Sequence, residues 1–222
     1  MRCNDGSWVL ESVRVKKVID MIPTKSPLLD IGCSDGEISN LIKRTKNVEV
    51  IGIDRAVWSK NINIPFIRCD VGTGLPFRDS TFHCIFAGEV IEHVYDTDFL
   101  IEECYRVLKP GGSLILTTPN LVAFAWRMSM LFGKRPAIIH NRKPLPERPG
   151  EHIRYFTSRD LRDILVDHGF EIVKFCVDGV KFFPDGTSEI MHPIGMLNCF
   201  QDFLGRILLN FGLRLIVKAR KP

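Results

Sequence analysis

The sequence predicts a doubly wound α/β domain, and three observations support this fold class. Short apolar runs alternate with helical segments along most of the 222 residues, as they do where helical crossovers join the parallel strands of a sheet. The run Leu28–Ile31 passes through a glycine-containing turn into a helix, a unit from which open α/β sheets are built. The composition, with 45% hydrophobic and 25% charged residues, is ordinary for a globular protein. We therefore predict a single domain over residues 1–222.

The first half of the chain supplies two helices and four strands. Residues 8–22 place apolar side chains near one helical face, so residues 1–26 are predicted to contain an N-terminal helix. Residues 28–31 are apolar enough for a buried strand, and the turn after them leads into a helix over about residues 37–44. Three further apolar runs have the length of strands and span residues 48–53, 65–69 and 82–87.

Proline and glycine bound the next elements. A helix over about residues 98–108 stops at Pro110–Gly112, and a strand over residues 113–118 ends at Pro119. Regularity is then lost over residues 120–150, where an apolar helix candidate precedes a stretch rich in proline and basic residues. A segment of this length inside a compact domain is commonly functional, and we interpret it as a lid insertion.

The last part of the chain closes the sheet. Thr157 and Gly169 have the properties of the N-cap and the C-cap of one more helix. Strands are predicted over residues 170–177 and 213–219, with a second, apolar insertion over residues 178–211 between them. Because little regular helix separates these two strands, they are free to pair in the antiparallel direction.

Basic side chains are concentrated in two segments. The net charge of +4 comes from 30 basic and 26 acidic residues. Residues 121–150 hold six basic side chains against one acid, and the tail from Arg206 onward holds five basic side chains and no acid. Such clusters suit an anionic substrate, a phosphate-bearing partner or a membrane surface. For the tail alone, solvated loops are the favoured interpretation.

The cysteines and the apolar runs exclude several classes of protein. The seven cysteines are odd in number and lack C-x-x-C spacing, which argues against a disulfide framework or a zinc knuckle. No apolar run reaches the roughly 18 residues of a membrane-spanning helix, and charged residues interrupt any secretory signal near the N-terminus. We therefore expect a cytoplasmic protein with reduced thiols.

The turn after the first strand is the most informative part of the sequence. Gly32 and Gly36 permit a sharp turn and a close approach of the backbone to a ligand. The dinucleotide pattern G-x-G-x-x-G requires glycine where this chain has Ser34 and Glu37, and an acid there would repel a pyrophosphate. The turn also matches the nucleophile-elbow pattern G-x-S-x-G, but only 31 residues precede it, without the strands and oxyanion loop that an elbow follows. We interpret that match as accidental.

Acidic residues stand at the ends of the first three strands. Asp30 lies beside the glycine turn, Asp54 ends the second strand and Asp70 follows the third. S-adenosylmethionine has an ammonium, a sulfonium, a carboxylate and an adenosine but no phosphate, so acids at these positions suit it. Asp30 suits its amino-acid part, Asp54 its two ribose hydroxyls and Asp70 its adenine amino group. The alternative is that each acid is only a helix cap or turn residue.

These features together resemble the class I S-adenosylmethionine-dependent methyltransferases, strongly over about residues 27–119 and more loosely over residues 150–220. The resemblance is carried by Leu28–Gly36, Asp54, Asp70, Leu75–Phe77, Phe82–His93 and Val107–Gly112. It implies a Rossmann-like seven-stranded sheet of order 3-2-1-4-5-7-6 with an antiparallel last strand. It also implies that the cofactor is bound by Asp30, Gly32, Cys33, Gly36, Asp54, Asp70, Val71 and Gly88.

Two details qualify this resemblance. Ser34 stands where many members have glycine, although variants of the motif with one glycine fewer are familiar. The asparagine-proline-proline-aromatic motif of methylases that act on the amino groups of bases and glutamine is absent from the sequence. Its absence argues against those acceptors.

Three potential ligands follow the fourth strand. Glu89, Glu92 and His93 fall within one helical turn, and two carboxylates with an imidazole suit a divalent cation such as Mg²⁺ or Mn²⁺. The E-x-x-E-H pattern resembles two metal-using groups, the ubiquinone-pathway O-methyltransferases and the small-RNA 3′-terminal 2′-O-methyltransferases. In the second group a further histidine after the fifth strand completes the site, and His152 is the candidate here.

Two other interpretations of this turn stay open. Many small-molecule methyltransferases carry a similar pattern with no known metal, and His93 would then be a general base or an orienting residue with Glu89 beside it. The third interpretation makes His93 a turn residue with no chemical role.

The expected acceptor is a hydroxyl oxygen of a small, lipid-linked or glycan-linked molecule. The segments Glu151–Asp160 and His168–Glu171 resemble bacterial and archaeal methyltransferases that act on metabolites, lipids and surface-glycan precursors. The apolar and basic mixture of residues 120–150 resembles an amphipathic lid or interfacial helix, so peripheral membrane contact is expected. A homodimer interface and plain core packing are the alternatives.

Two alternative functions stay open. One is a metal-dependent RNA 2′-O-methyltransferase, although the sequence contains no recognised RNA-binding module and nucleic acid is not the expected partner. The other is a protein that binds S-adenosylmethionine without catalysis.

Overall fold

The computed structural model describes residues 13–56, 62–136, 138–139, 152–178 and 209–222. Three predicted regions therefore lie partly outside the described residues. These are the start of the N-terminal helix, the second half of the 120–150 insertion and nearly all of the 178–211 insertion.

The described residues form five α-helices and seven strands. The helices are α1 (Val13–Met21), α2 (Glu37–Lys46), α3 (Thr97–Val107), α4 (Phe124–Leu131) and α5 (Ser158–Asp167). The strands are β1 (Leu28–Ile31), β2 (Val50–Asp54), β3 (Phe66–Arg68), β4 (Phe82–Gly88), β5 (Leu108–Pro119), β6 (Glu171–Val177) and β7 (Arg214–Arg220). Short 3₁₀ turns, Val71–Thr73 and Ile91–His93, follow β3 and β4. Within this part of the chain, no helix is long and apolar enough to cross a bilayer.

The strands form one sheet in the order β3-β2-β1-β4-β5-β7-β6. Strands β1 to β5 pair in parallel, whereas β7 is antiparallel to both β5 and β6. The predicted order and the antiparallel last strand are therefore confirmed. The turns after β1 to β5 open on the same side of the sheet, which we call the carboxyl edge. In open α/β sheets this is the edge where ligands bind.

Neighbouring residues of the central strands face two different helical layers. Leu28 and Cys84 pack with α1 and α2, whereas the adjacent Leu29 and Ile85 pack with α3 and α5. All four side chains are 0% exposed. Burying one such side chain stabilises the fold by about 1.5–3 kcal/mol relative to exposure. Since both faces of the sheet are covered, its strands appear in the sequence as nearly continuous apolar runs.

The observed ends of two helices can be compared with the caps and helix-breaking residues that the sequence predicts. Thr157 caps α5 in a reciprocal capping box with Asp160, so the predicted N-cap is confirmed. The C-cap is His168, and the predicted Gly169 follows it with a φ of +83°.

The predicted helix end near Leu108 is confirmed, since α3 ends at Val107, but the strand predicted to start at Ser113 already begins at Leu108. The register shifts opposite Phe82–Cys84, which accommodates residues 109–112 as a bulge within the strand.

Candidate active site

The turn after β1 requires both of its glycines. Gly32 has a φ of +72°, and a Cβ built on it would lie 2.5 Å from Val90 Cγ2. Its N–H donates to Ile53 O at 2.8 Å, which holds the turn against the end of β2. Gly36 has a φ of +79° at the N-cap of α2. Ser34 and Asp35 in this turn are exposed, while Cys33 and Gly36 are buried.

Asp54 joins the turns that follow β1 and β2. Its Oδ2 accepts the N–H of Ser34 at 3.0 Å, and its Oδ1 accepts the N–H of Ala56 at 3.0 Å. Ser34 has a φ of +51°, a left-handed conformation that glycine adopts more readily, and the bond to Asp54 helps to hold it. Each carboxylate oxygen has two lone pairs, so a carboxylate at this position can accept several hydrogen bonds.

Asp30 is buried at the end of β1, with only 2% of its surface exposed. Desolvation raises its pKa from 3.8 to about 7, the donated hydrogen bond from Ser39 Oγ opposes this shift, and the charge of nearby Asp54 adds to it. The Arg14 guanidinium lowers the pKa by a smaller amount. A cation that binds beside this carboxyl group would stabilise its ionised form.

Asp70 begins the 3₁₀ turn after β3 and caps it. Its Oδ1 accepts the N–H of Gly72 at 2.9 Å, and Val71 lies between them. The second carboxylate oxygen is not needed for this cap. Beside it opens a cleft of about 560 Å³ lined by Arg55, Ala56, Arg68, Cys69 and Asp70.

Glu92, His93 and His152 form a cluster at the carboxyl edge. One ligand atom of each lies within 4.8 Å of the others, and the two imidazole rings are 4.8 Å apart between centroids. Glu92 is only 1% exposed, and its Oε2 accepts a hydrogen bond from Thr118 Oγ1 at 3.1 Å. Glu92 and His93 lie in the turn after β4, and His152 comes from a segment far along the chain. Thr118, near the end of β5, supports the cluster through its bond to Glu92.

Backbone hydrogen bonds explain how His152 reaches this cluster. The N–H groups of Ile153 and Arg154 both donate to Glu92 O, at 2.9 and 3.1 Å. Further along, Phe156 forms a bridge with Asn120, directly after β5. Residues 152–156 are thus fastened to the ends of two strands, which fixes the position of His152.

The Glu92 side chain is in an unusual electrostatic position. Burial, followed by the charge of Glu89, raises the pKa of its carboxyl group well above the usual range. Within the described residues, its Oε1 atom is buried and has no hydrogen-bond partner. Leaving such an atom unsatisfied costs about 1–3 kcal/mol, so a ligand or ion at this position would be stabilised.

Glu89 is not part of the cluster and is held by other groups. Its φ of +59° is unusual for a residue other than glycine. Its carboxylate accepts from Thr117 Oγ1 at 2.8 Å and from Arg214 Nε at 3.1 Å. Arg214 in turn donates through Nη1 to Asp178 Oδ2 at 2.9 Å. Glu89 is thereby paired with Arg214 and is not part of the cluster.

Comparison with known proteins decides the family. The model of a family described as a methyltransferase domain matches residues 13–174. The chain belongs to this family. The S-adenosylmethionine-dependent methyltransferase class predicted from the turn motifs is thereby confirmed.

Curated relatives of this methyltransferase are distant and longer. The mitochondrial ubiquinone biosynthesis O-methyltransferase of Rattus norvegicus is 27% identical over 158 residues, which cover 65% of this chain and 44% of that protein. The ubiquinone biosynthesis O-methyltransferase of Rhizobium johnstonii is 28% identical over 168 residues, which cover 71% of this chain and 64% of that protein. The chain thus spans less than two thirds of the length of either relative.

A solved structure shares the fold over nearly the whole chain. It is an S-adenosylmethionine-dependent methyltransferase from Thermotoga maritima, described as a possible histamine N-methyltransferase. The two structures superpose with a TM-score of 0.65 at 19% identity, covering 98% of this chain and 91% of that one. At this identity the likeness establishes the fold.

The methyltransferase fold brings the predicted cofactor residues to one edge. Asp30, Gly32, Cys33 and Gly36 lie in or beside the turn after β1, Asp54 ends β2, Asp70 and Val71 follow β3, and Gly88 ends β4. Their contacts with a cofactor stay a prediction. Of the four predicted metal ligands, the structure brings Glu92, His93 and His152 together and places Glu89 with Arg214 instead.

The sequence analysis missed four residues of this site. Arg14 and Arg214 supply its cations, and Thr117 and Thr118 supply hydroxyl groups that donate to Glu89 and Glu92. No local motif marks them, because their partners lie 26 to 125 positions away in the chain. The one available signal was that Thr117 and Thr118 end a predicted strand at the carboxyl edge.

Proposed function

We propose that this methyltransferase transfers the methyl group of S-adenosylmethionine to a hydroxyl oxygen of a small, lipid-linked or glycan-linked molecule. The observation that carries the proposal is the Glu92–His93–His152 cluster. It lies at the carboxyl edge, as does the glycine-containing turn after β1. The names of the two ubiquinone biosynthesis O-methyltransferases support an oxygen acceptor.

The cofactor would extend along the turns after β1, β2 and β3. In this arrangement Asp54, at the end of β2, accepts hydrogen bonds from the ribose hydroxyls. The cleft beside Asp70 receives the adenine. The amino-acid part of the cofactor then lies at the glycine turn and Asp30, which orients the sulfonium methyl group toward the end of β4.

The reaction is a direct displacement. The acceptor oxygen attacks the methyl carbon, the carbon–sulfur bond breaks, and its electron pair stays on the sulfur of S-adenosylhomocysteine. The acceptor must also lose its hydroxyl proton. The His93 imidazole, which lies at the carboxyl edge beside Glu92, is the group we assign to take it. Alignment of oxygen, methyl group and sulfur supplies much of the remaining acceleration.

A His93→Gln variant tests this assignment. We expect turnover to fall by about 10²–10⁴-fold, while the affinity for S-adenosylhomocysteine changes little. Turnover is measured as tritium-labelled methyl transferred to a cell lipid and metabolite extract. His83→Gln is the matched control, because His83 also lies on β4 but contacts Lys109. Unchanged turnover in His93→Gln would leave His93 a structural residue.

The same assay with the wild-type protein distinguishes an active methyltransferase from a protein that binds S-adenosylmethionine without catalysis. Binding of S-adenosylhomocysteine without labelling of any fraction would contradict the proposed catalysis. Label in an RNA fraction instead of the small-molecule or lipid fraction would favour the RNA 2′-O-methyltransferase alternative.

A metal ion is the specific alternative to His93 as the base. The donor set of one carboxylate and two imidazoles, with the buried and unsatisfied Glu92 Oε1, fits a divalent cation. Two imidazoles favour a transition-metal ion such as Mn²⁺ or Zn²⁺ over Mg²⁺, which prefers oxygen ligands. Glu92, His93 and His152 would hold the ion, and such an ion lowers the pKa of a bound hydroxyl.

The surface around the site supports an acceptor in or near a membrane. Of nine exposed large hydrophobic side chains within the described residues, six lie on segments at the carboxyl edge: Tyr95, Met130, Leu131, Phe132, Ile153 and Tyr155. Residues 120–136 and 152–156 add four basic side chains and no acid. Apolar groups flanked by cations suit an anionic lipid surface, so peripheral membrane contact is part of the proposal.

A further inference from the structure

Residues 93–95 and 152–154 meet through two ring contacts. The first joins the rings of His93 and His152, whose centroids lie 4.8 Å apart within the cluster. In the second, two positions further along each segment, the Arg154 guanidinium lies over the Tyr95 ring at 5.1 Å. Because two residues of chain span at most about 7 Å, the Arg154–Tyr95 pair lies directly beside the cluster.

Arg154 is held at its backbone and at its side chain. Its N–H donates to Glu92 O at 3.1 Å, and its Nη2 donates to Tyr95 O at 2.7 Å. The neighbouring Tyr155 hydroxyl donates to His152 O at 3.2 Å, which ties the same segment to the cluster. The position of the guanidinium is therefore set before any ligand arrives.

Most of the hydrogen-bonding capacity of Arg154 is available to a ligand. A guanidinium has five N–H donors. Within the described residues, this side chain donates to one carbonyl oxygen and pairs with no carboxylate. Arg214, another cation of the site, is already engaged by Glu89 and Asp178. Arg154 is exposed and Tyr95 is 82% exposed, so both are accessible from solvent.

The charge at this surface favours an anionic ligand. Residues 120–136 and 152–156 contain four basic side chains and no acid. Glu92, whose carbonyl oxygen binds this segment, is only 1% exposed, so a ligand at the surface meets the guanidinium first. A fixed guanidinium binds a phosphate or a carboxylate through two parallel hydrogen bonds, and an exposed tyrosine ring can cover apolar surface next to that group.

We propose that Arg154 binds an oxyanion of the methyl acceptor, a phosphate or a carboxylate, and thereby selects anionic acceptors. Tyr95 is a positioning residue that acts through Arg154. The inference rests on the proposed function, because it requires the acceptor hydroxyl to lie at the neighbouring cluster. It adds the charge of the acceptor to that function, so neutral molecules are poor acceptors.

Methyl-labelling of a cell lipid and metabolite extract tests the proposal. The extract is dissolved in a non-ionic detergent, so that contact with a bilayer does not affect the rate. Products labelled from tritiated S-adenosylmethionine are separated by anion exchange at neutral pH, and we expect the wild-type product to bind the column. Treatment with phosphatase and phosphodiesterase cleaves a phosphate ester and leaves a carboxylate, which identifies the oxyanion.

Arg154→Met should lower labelling at limiting extract by about 10–100-fold, the effect of losing hydrogen bonds between charged groups. The affinity for S-adenosylhomocysteine should stay that of the wild type. The loss should shrink as the extract concentration rises, because weaker acceptor binding raises KM. Arg154→Lys should restore part of the labelling, since lysine keeps the charge without the planar fork.

Two further variants separate the binding role from a structural one. Tyr95→Ala should lower labelling by about 2–5-fold, and Tyr95→Phe, which keeps the ring, should retain more of it. Arg162→Met is the matched control and should label as the wild type does. The Arg162 guanidinium also lies over an aromatic ring, that of Phe175 at 5.7 Å, but on α5.

Two results would overturn the role of Arg154 and leave methyl transfer to oxygen intact. One is a wild-type product that does not bind the anion exchanger. The other is equal labelling by Arg154→Met and wild type at limiting extract. Absence of label in every wild-type fraction, or label on an atom other than oxygen, would instead contradict the proposed function and the inference with it.

Discussion

Asp30 combines a cost in stability with a role at the site. Its carboxyl group is buried at the end of β1, and its pKa is raised from 3.8 to about 7. Between these values the unfolded chain has released a proton that the folded protein still holds. Stability is therefore greatest at low pH for this group and falls as the pH rises toward 7, after which the full penalty of burying the charge applies. Sites that bind ligands commonly keep such residues.

Asp30→Asn should make the protein more stable at alkaline pH. The neutral amide removes the burial penalty, which is bounded at about 4 kcal/mol, and its carbonyl oxygen can still accept from Ser39. We expect a melting temperature about 5 °C or more above wild type at pH 8 and a smaller difference at pH 5. Asp167→Asn, at an exposed position of α5, is the control. An equal difference at both pH values would contradict the account of Asp30.

At the scale of elements, residues 152–156 complete the cluster. His152 lies 59 positions after His93, and the two bonds to Glu92 O place it there. If the cluster binds a metal, His152 should be as important for metal binding as Glu92 or His93. The sequence marks His152 only through a family resemblance, whereas the structure gives the physical reason for its position.

Manganese titration tests the cluster as a metal site. The metal alternative predicts saturable binding of Mn²⁺ to chelator-treated protein saturated with S-adenosylhomocysteine, and loss of that binding in both Glu92→Gln and His152→Ala. Glu102→Gln and His83→Ala remove the same chemical groups outside the cluster and should bind as wild type does. Absence of heat with the wild-type protein would reject the metal and leave His93 as the base.

Arg106 holds the loop before β4 against α3. Its guanidinium donates to the carbonyl oxygens of Leu75 and Phe77, at 3.0 and 2.8 Å, and to the carboxylates of Glu103 and Asp79. The hydrogen bonds to Glu103 and Asp79 raise the pKa of Arg106 further above its usual range.

Arg106→Met should therefore destabilise the protein by about 2 kcal/mol, because several hydrogen bonds to a charged group are lost together. Arg159→Met is the control, since Arg159 is 87% exposed and lies 3.6 Å from Asp163. Loss of that exposed pair should cost no more than about 0.5 kcal/mol. Urea denaturation measures both changes. Equal losses in the two variants would mean that Arg106 does not hold the loop.

For the whole molecule, the sheet was more predictable than the site. Leu28–Ile31 and Phe82–Gly88 are buried on both faces, so each strand is a nearly continuous apolar run that the sequence displays. The carboxyl edge could be predicted because strand ends are local features. The bond from Arg214 to Glu89 could not be predicted, because the two residues are 125 positions apart and no local pattern pairs their side chains. The approach of Arg14 likewise depends on how α1 packs.

The distribution of exposed side chains predicts how the whole molecule meets a lipid surface. We expect the wild-type protein to sediment with vesicles that contain phosphatidylglycerol and less with pure phosphatidylcholine vesicles. The Leu131→Glu/Phe132→Glu double variant should lose this binding, since these side chains are 73% and 72% exposed. Val166→Glu, at an exposed position of α5, should bind as wild type does.

Other results of the vesicle experiment would contradict membrane contact. One is failure of the wild-type protein to sediment with anionic vesicles. Another is a double variant that binds vesicles as the wild type does but is monomeric where the wild type is a dimer. That result would assign Leu131 and Phe132 to a homodimer interface.

The central claim is that the Glu92–His93–His152 cluster directs the methyl group to oxygen. The most direct test is to isolate the product labelled from S-adenosylmethionine and determine by mass spectrometry and NMR which atom carries the new methyl group. The account predicts a methyl ether on a small, lipid-linked or glycan-linked molecule, and no such product with His93→Gln. A methyl group on nitrogen, carbon or sulfur would contradict it.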